Sequence, residues 1–189
     1  MRFDDGLATW TRRGLDVALI VLVVVCLFGV FLGRIVPLTG RTTLVVSGGS
    51  MEPTLPVGAA IIDESVPSSE LAVGQIVSLR SGPGRAIFTH RIIRVAERDG
   101  ERWIETQGDA NPKADPSLTA ASAVIGRETL VIPYAGFLIA LLSIPSGIAL
   151  VFSLGLVLLA AAWLVEGLEG ERVRAPGWVR EPARRRELV

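Results

Sequence analysis

Leu15 to Gly33 reads LDVALIVLVVVCLFGVFLG, an apolar run whose one charge, Asp16, stands at its edge. At 1.5 Å per residue, about 19 residues of helix reach across a hydrocarbon core of roughly 30 Å. An aspartate at the centre of a spanning helix costs about 2.5 to 3.5 kcal/mol, so Asp16 is expected at headgroup level beside Trp10, Arg12 and Arg13. A cleavable leader has an apolar core of only about 7 to 15 residues and small residues at the cut. Here Arg34-Ile35-Val36-Pro37 follows, and the run reads as a retained anchor.

The rest of the chain agrees with membrane residence. Of its 189 residues 50% are hydrophobic, and the mean hydropathy is +0.49, too apolar for an ordinary soluble domain of this size. The formal charge is zero, and the arginines crowd into the tail (Arg172, Arg174, Arg180, Arg184, Arg185, Arg186) rather than onto a fold. Nucleic acid is not indicated as a partner. Lys113 is the sole lysine and Cys26, inside the anchor, the sole cysteine, so the extramembrane part is expected to hold by packing without a disulfide.

From about Arg41 to Ile132 the texture changes to short β-branched runs punctuated by glycine and proline. Strands are expected over Thr43 to Ser47, Ala59 to Asp63, Gln75 to Arg80, Ala86 to Val95, Arg102 to Thr106 and Val124 to Ile132. Ser81-Gly82-Pro83-Gly84 and Arg98-Asp99-Gly100-Glu101 read as hairpin turns between them. A second apolar region, Ile132 to Val165, is too long for one untilted span and is interrupted by Pro145-Ser146-Gly147. The split there predicts a short interfacial helix over 134–145 and a second spanning helix over 146–166, closing at Trp163; a single kinked helix is the alternative. The expected fold is mainly β: a small antiparallel domain over 37–133 between two transmembrane helices, 15–36 and 146–166. Segment 1–14 and the charged, disordered tail 167–189 are expected in the cytoplasm, because short flanks rich in arginine stay inside. The β domain is then extracytoplasmic and the chain a multi-pass protein of the cell membrane.

Three segments carry groups for chemistry. Ser47-Gly48-Gly49-Ser50-Met51-Glu52-Pro53-Thr54-Leu55 follows the anchor closely. Phe88-Thr89-His90-Arg91-Ile92-Ile93 holds the only histidine, and Gln107-Gly108-Asp109-Ala110-Asn111-Pro112-Lys113-Ala114-Asp115 supplies two carboxylates. A serine needs a neighbouring base to become a nucleophile, and serine, histidine and aspartate are the parts of a hydrolytic triad. Each residue also has an ordinary reading: a polar turn, a packed strand histidine, or carboxylates capping a Gly/Asn/Pro loop. Lys113 is the competing base.

In this order, and from about Leu15 to about Leu142, the segments resemble signal peptidase I of the histidine-using variety found in archaea, in the endoplasmic reticulum and in some bacteria. The resemblance implies Ser50 as nucleophile, His90 where bacterial members carry a lysine base, and Asp115, six residues after Asp109, as the third member. Asp109 is implied as a supporting carboxylate. Gly58 to Asp63, Gly74 to Val77, Val124 to Gly126 and Pro133 to Gly136 add weaker matches. One departure is Gly48, where the family often has a serine assisting the oxyanion hole; the hole would rest on backbone N–H groups, chiefly that of Ser50, with Gly49 and a displaced Ser47 as further support.

The activity implied is a membrane serine endopeptidase that removes signal peptides from exported preproteins after small residues, without metal or cofactor. Its partners would be preprotein signal peptides and the lipid bilayer, with the secretion machinery as a further associate. Two other classes share parts of this pattern: a non-catalytic, membrane-tethered β module of an envelope complex, and an esterase or peptidase dedicated to one client.

Overall fold

The computed structural model describes residues 3–81 and 86–174, and the side chains of 9–80 and 86–167. A long helix α1 (Phe3–Val30) relaxes into a π-helical turn, Phe31–Ile35, and a 3₁₀ turn, Val36–Thr39, ending at left-handed Gly40. Seven strands follow, β1 (Thr42–Val45), β2 (Ala60–Glu64), β3 (Ile76–Ser81), β4 (Ala86–Arg98), β5 (Glu101–Gln107), β6 (Thr119–Ala120) and β7 (Val124–Ile132), then α2 (Ala135–Ser143) and α3 (Pro145–Arg174). Among the described residues two helices, Thr9–Thr39 and Pro145–Gly167, are long and apolar enough to cross a membrane.

The strands make one curled antiparallel half-barrel in the order β1-β2-β7-β3-β4-β5-β6. The Asp-Gly turn expected between β4 and β5 is there: Asp99 (φ 55°) and Gly100 (φ 76°) both take the left-handed region that a tight hairpin requires. The other expected turn, at Ser81-Gly82-Pro83-Gly84, falls outside the described residues. "Mainly β" needs correction, because close to half of the described residues are helical. The helices also outrun the apolar stretches that predicted them. α1 starts at Phe3, ahead of residue 15, and α3 continues past 166 to Arg174, since glutamate, leucine and arginine are all good helix formers whatever their polarity. The tail from 175, with Arg180, Arg184, Arg185 and Arg186, lies outside the described residues.

Contacts divide the chain into two units, 1–25 with 149–189, and 26–148. In the first, Arg12 meets Glu166 at 3.3 Å, so the N-terminal part of α1 and the C-terminal part of α3 share one end of the helix pair. The second unit holds the sheet. β2 lies beside the edge strand β1 and has both faces covered: Ala60 and Ile62 pack with Leu32, Val36 and Ala135, while Ile61 packs with Met51, Leu55 and Ile76. Alternation of side chains across a strand therefore leaves no solvent face here, and the continuous apolar run Ala59-Ala60-Ile61-Ile62 follows. Leu71, Val77, Leu79, Ile92, Ile104 and Ala121 fill the other end of the curl.

Asp63, the next residue of β2, breaks that run. It is fully buried, and neither carboxyl oxygen has a hydrogen-bond partner among the described residues. Burial raises its pKa above the ordinary carboxylate value, and Glu128 raises it further; the nearby Ser78 hydroxyl, bonded to Thr89 at 2.8 Å, offsets this only in part. Because the folded value lies above the unfolded one, stability from this group is full below the unfolded pKa and declines as pH rises toward the folded value. Asp63→Asn removes the ionising group, so melting temperature followed by circular dichroism should fall less between about pH 4 and pH 8 in the variant than in the parent. Identical slopes would show that Asp63 does not titrate there.

Candidate active site

Ser50 sits in a tight turn between β1 and β2. The Glu52 N–H bonds the Gly49 carbonyl at 3.1 Å, and the Leu55 N–H bonds Met51 at 2.9 Å. Met51 and Leu55 are 2% and 0% exposed and anchor this turn in the core below β2. The apolar members of the Ser50-to-Leu55 segment thus fix the backbone that carries the hydroxyl.

His90 comes from the middle of β4, opposite Val77 of β3. It is 8% exposed and stands edge-on to Phe88, two residues back on the same strand face, with ring centroids 5.1 Å apart. Its Nε2 lies 3.0 Å from Ser50 Oγ and its Nδ1 2.6 Å from Asp115 Oδ2. A carboxylate has no proton to give, so pairing with Asp115 assigns the ring proton to Nδ1 and leaves Nε2 as the free base facing the serine.

Asp115 is held from the side. The Thr106 hydroxyl, itself 1% exposed, donates to the same Oδ2 at 2.6 Å, and the Asp115 N–H bonds the Thr106 carbonyl at 2.8 Å. Asp109 lies in the same loop but turns elsewhere. Arg91 forks onto both of its oxygens, at 2.8 and 2.6 Å, and Thr54 donates to Oδ2 at 2.6 Å. The Arg91 bonds hold the Asp109 carboxyl below its ordinary pKa, with Thr54 adding to the effect, and the same bonds raise that of Arg91. Asp109 is thus an ionised clamp joining the Ser50 turn, β4 and the 107–115 loop.

Gly108 explains why that loop begins Gln-Gly-Asp. A Cβ there would stand 2.5 Å from the Ser50 carbonyl oxygen, closer than any side chain tolerates. The close approach lets the Ala110 N–H bond the Ser50 carbonyl at 2.9 Å. Among the described residues no backbone acceptor takes the Ser50 N–H, and Gly48 has open space where a Cβ would be. Gly49 approaches the Glu52 side chain at ordinary contact distance, and Ser47 is exposed on the rim. Lys113 is exposed on its loop, while His90 occupies the place beside Ser50.

A cleft of about 240 Å³ opens next to Ser50, walled by Leu44, Val46, Met51, Ile61 and Phe88, with Ser47 at its rim. Two strand margins border it. β1 is the edge of the sheet, and β4 over Ala86–His90 pairs only with β3, because β5 joins it from Arg91 onward. The Thr54, Thr106 and Arg91 partners were not singled out from sequence. Arg91 directly follows His90, but it reaches Asp109 across 18 residues, a contact that no local pattern marks. No protein-family model matches this sequence, and comparison with curated proteins finds no match either.

Proposed function

We propose that this chain is a membrane-bound serine endopeptidase of the signal peptidase I type, acting on signal peptides of exported preproteins. The observation that carries the reading is His90 standing between Ser50 and Asp115, with Nε2 and Nδ1 at 3.0 and 2.6 Å. Ser50 Oγ attacks the scissile carbonyl as His90 Nε2 takes its proton, and Asp115 stabilises the imidazolium that forms. The Ser50 N–H receives the developing oxyanion. His90 then returns the proton to the leaving amine, and water activated by the same imidazole hydrolyses the acyl-serine. No step calls on a metal or cofactor.

The substrate binds extended. β1 and the Ala86–His90 margin of β4 both border the cleft, and an inserted strand would use the backbone groups of either. The apolar walls suit uncharged side chains, and small ones at the first and third positions before the cut are what the resemblance to signal peptidase I implies. Alanine just before the cut is expected to be cleaved well. Leucine or phenylalanine there should cost about 1 to 3 kcal/mol, roughly tenfold to a hundredfold in kcat/KM, and aspartate more, through unpaired desolvation. Matched peptides with Ala, Leu, Phe or Asp at that position measure this; equal rates would remove the specificity on which the reading depends.

The arginine-rich flanks favour both ends in the cytoplasm, which puts the β domain outside the cell membrane, where preproteins emerge. A cysteine replacing Asp99 in the β4–β5 turn should react with an impermeant thiol reagent added to intact cells. Labelling only after lysis would invert the orientation.

A further inference from the structure

From Thr129 to Val165 the chain carries no charged residue, and beyond the end of β7 at Ile132 it folds as two helices with a break at Ile144-Pro145. The shorter one, α2, reads AGFLIALLS and is apolar all round. Its only polar side chain, Ser143, turns its hydroxyl onto the Ile139 carbonyl at 2.6 Å. One side of α2 is used within the protein. A Cβ on Gly136 would lie 2.5 Å from the Ala59 carbonyl oxygen, so α2 starts directly against the backbone entering β2. Farther along, Leu138 and Leu142 meet Gly29, where a Cβ would be 2.8 Å from Leu138 Cγ and 2.7 Å from Leu142 Cδ1, and Ile139 meets Gly33. Gly29 and Gly33, four apart, form a single notch of the kind that lets helices approach closely in lipid. The other side of α2 is mostly open among the described residues: Phe137 rests its ring on Gly58, where a Cβ would stand 1.9 Å from Phe137 Cε2, yet is 57% exposed, and Ile144 is 50% exposed, with Ala140 exposed between them.

The notch lies within the apolar run of the first span. Gly29 is about 13 helical residues beyond Asp16, roughly 20 Å along the axis, and so short of the far side of a core of roughly 30 Å, which Arg34 marks. We propose that α2 is a membrane-embedded segment, docked in the Gly29/Gly33 notch at acyl-chain depth, with Phe137, Ala140 and Ile144 facing lipid acyl chains. Irregular backbone at that depth needs its polar groups satisfied from within the protein. At the break the Ile148 N–H bonds the Ile144 carbonyl at 3.1 Å, and Gly147 is buried where a Cβ would stand 1.9 Å from the Leu141 carbonyl oxygen. This inference rests on the membrane reading of α1 and α3 and is independent of the peptidase reading.

The test uses the full chain with Cys26→Ser, reconstituted in phosphatidylcholine vesicles and spin-labelled at single cysteines replacing Phe137, Ala140, Leu156 or Asp99. Molecular oxygen partitions into lipid and a nickel chelate stays in water. Labels at Phe137 and Ala140 are expected to relax like the one at Leu156, more with oxygen than with nickel, and opposite to Asp99. If Leu156 reads as lipid while Phe137 and Ala140 read as water, the proposal is overturned; if Leu156 itself reads as water, it falls together with the membrane reading. A second arm introduces Gly29→Leu, which should increase label mobility at Ala140, while Gly14→Leu, where a Cβ meets nothing within 4 Å, should not. Unchanged mobility in Gly29→Leu would remove the notch.

Discussion

Ser50→Ala and His90→Ala are each expected to lower kcat/KM on a signal-peptide substrate by roughly ten-thousand- to million-fold, with the double variant no worse than the more impaired single one. On the proposed mechanism the two side chains, 3.0 Å apart, act as one unit: without the imidazole the hydroxyl keeps its proton, and without the hydroxyl the imidazole has nothing to activate. Ser50→Ala should leave the fold intact, because Met51 and Leu55, not Ser50, anchor the turn. His90→Ala also removes the edge contact with Phe88, so its melting curve must accompany the rate. Lys113→Ala should retain activity. A dead Lys113→Ala beside a live His90→Ala would transfer the base to lysine.

Asp115→Ala is expected to cost roughly ten-thousand-fold in kcat, the scale on which triad carboxylates act. It removes the partner of Nδ1 and the stabilisation of the imidazolium, and it strands the buried Thr106 hydroxyl. Asp109→Ala should hurt less, because that carboxylate faces Arg91 and Thr54, and its loss loosens the 107–115 loop without touching the ring. The pH dependence separates the two roles. Asp109 has a folded pKa below its ordinary value, so its stabilising contribution is present above the unfolded value and lost as pH falls through the folded one. Asp109→Ala should therefore flatten the acid limb of the melting-temperature profile. Greater loss of kcat in Asp109→Ala than in Asp115→Ala would exchange the two assignments.

Local pattern made much of this readable. β7 has the expected bounds, Val124 to Ile132, and the Asp99-Gly100 turn followed from two residues that tolerate positive φ. The break at Pro145 was legible because the residue before a proline disfavours helix, and Ile144 is extended. What escaped depends on distance along the chain. β6 is two residues long and exists only through pairing with β5. Thr54 and Arg91 reach Asp109 across 55 and 18 residues, contacts with no local signature. Asp63 would pass for a strand-end carboxylate in sequence, and only the fold covers it. Ser50, His90 and Asp115 could be picked out by type and order, whereas the Thr106 bond that steadies Asp115 needed the loop's return to β5.

Incubating the purified full chain in detergent with a panel of exported preproteins, and sequencing the new N-termini, tests the central claim most directly. The expected result is one cut per preprotein, following a small residue just beyond its apolar segment, and no cut with Ser50→Ala. Intact preproteins throughout, or the same cuts made by Ser50→Ala, would contradict it.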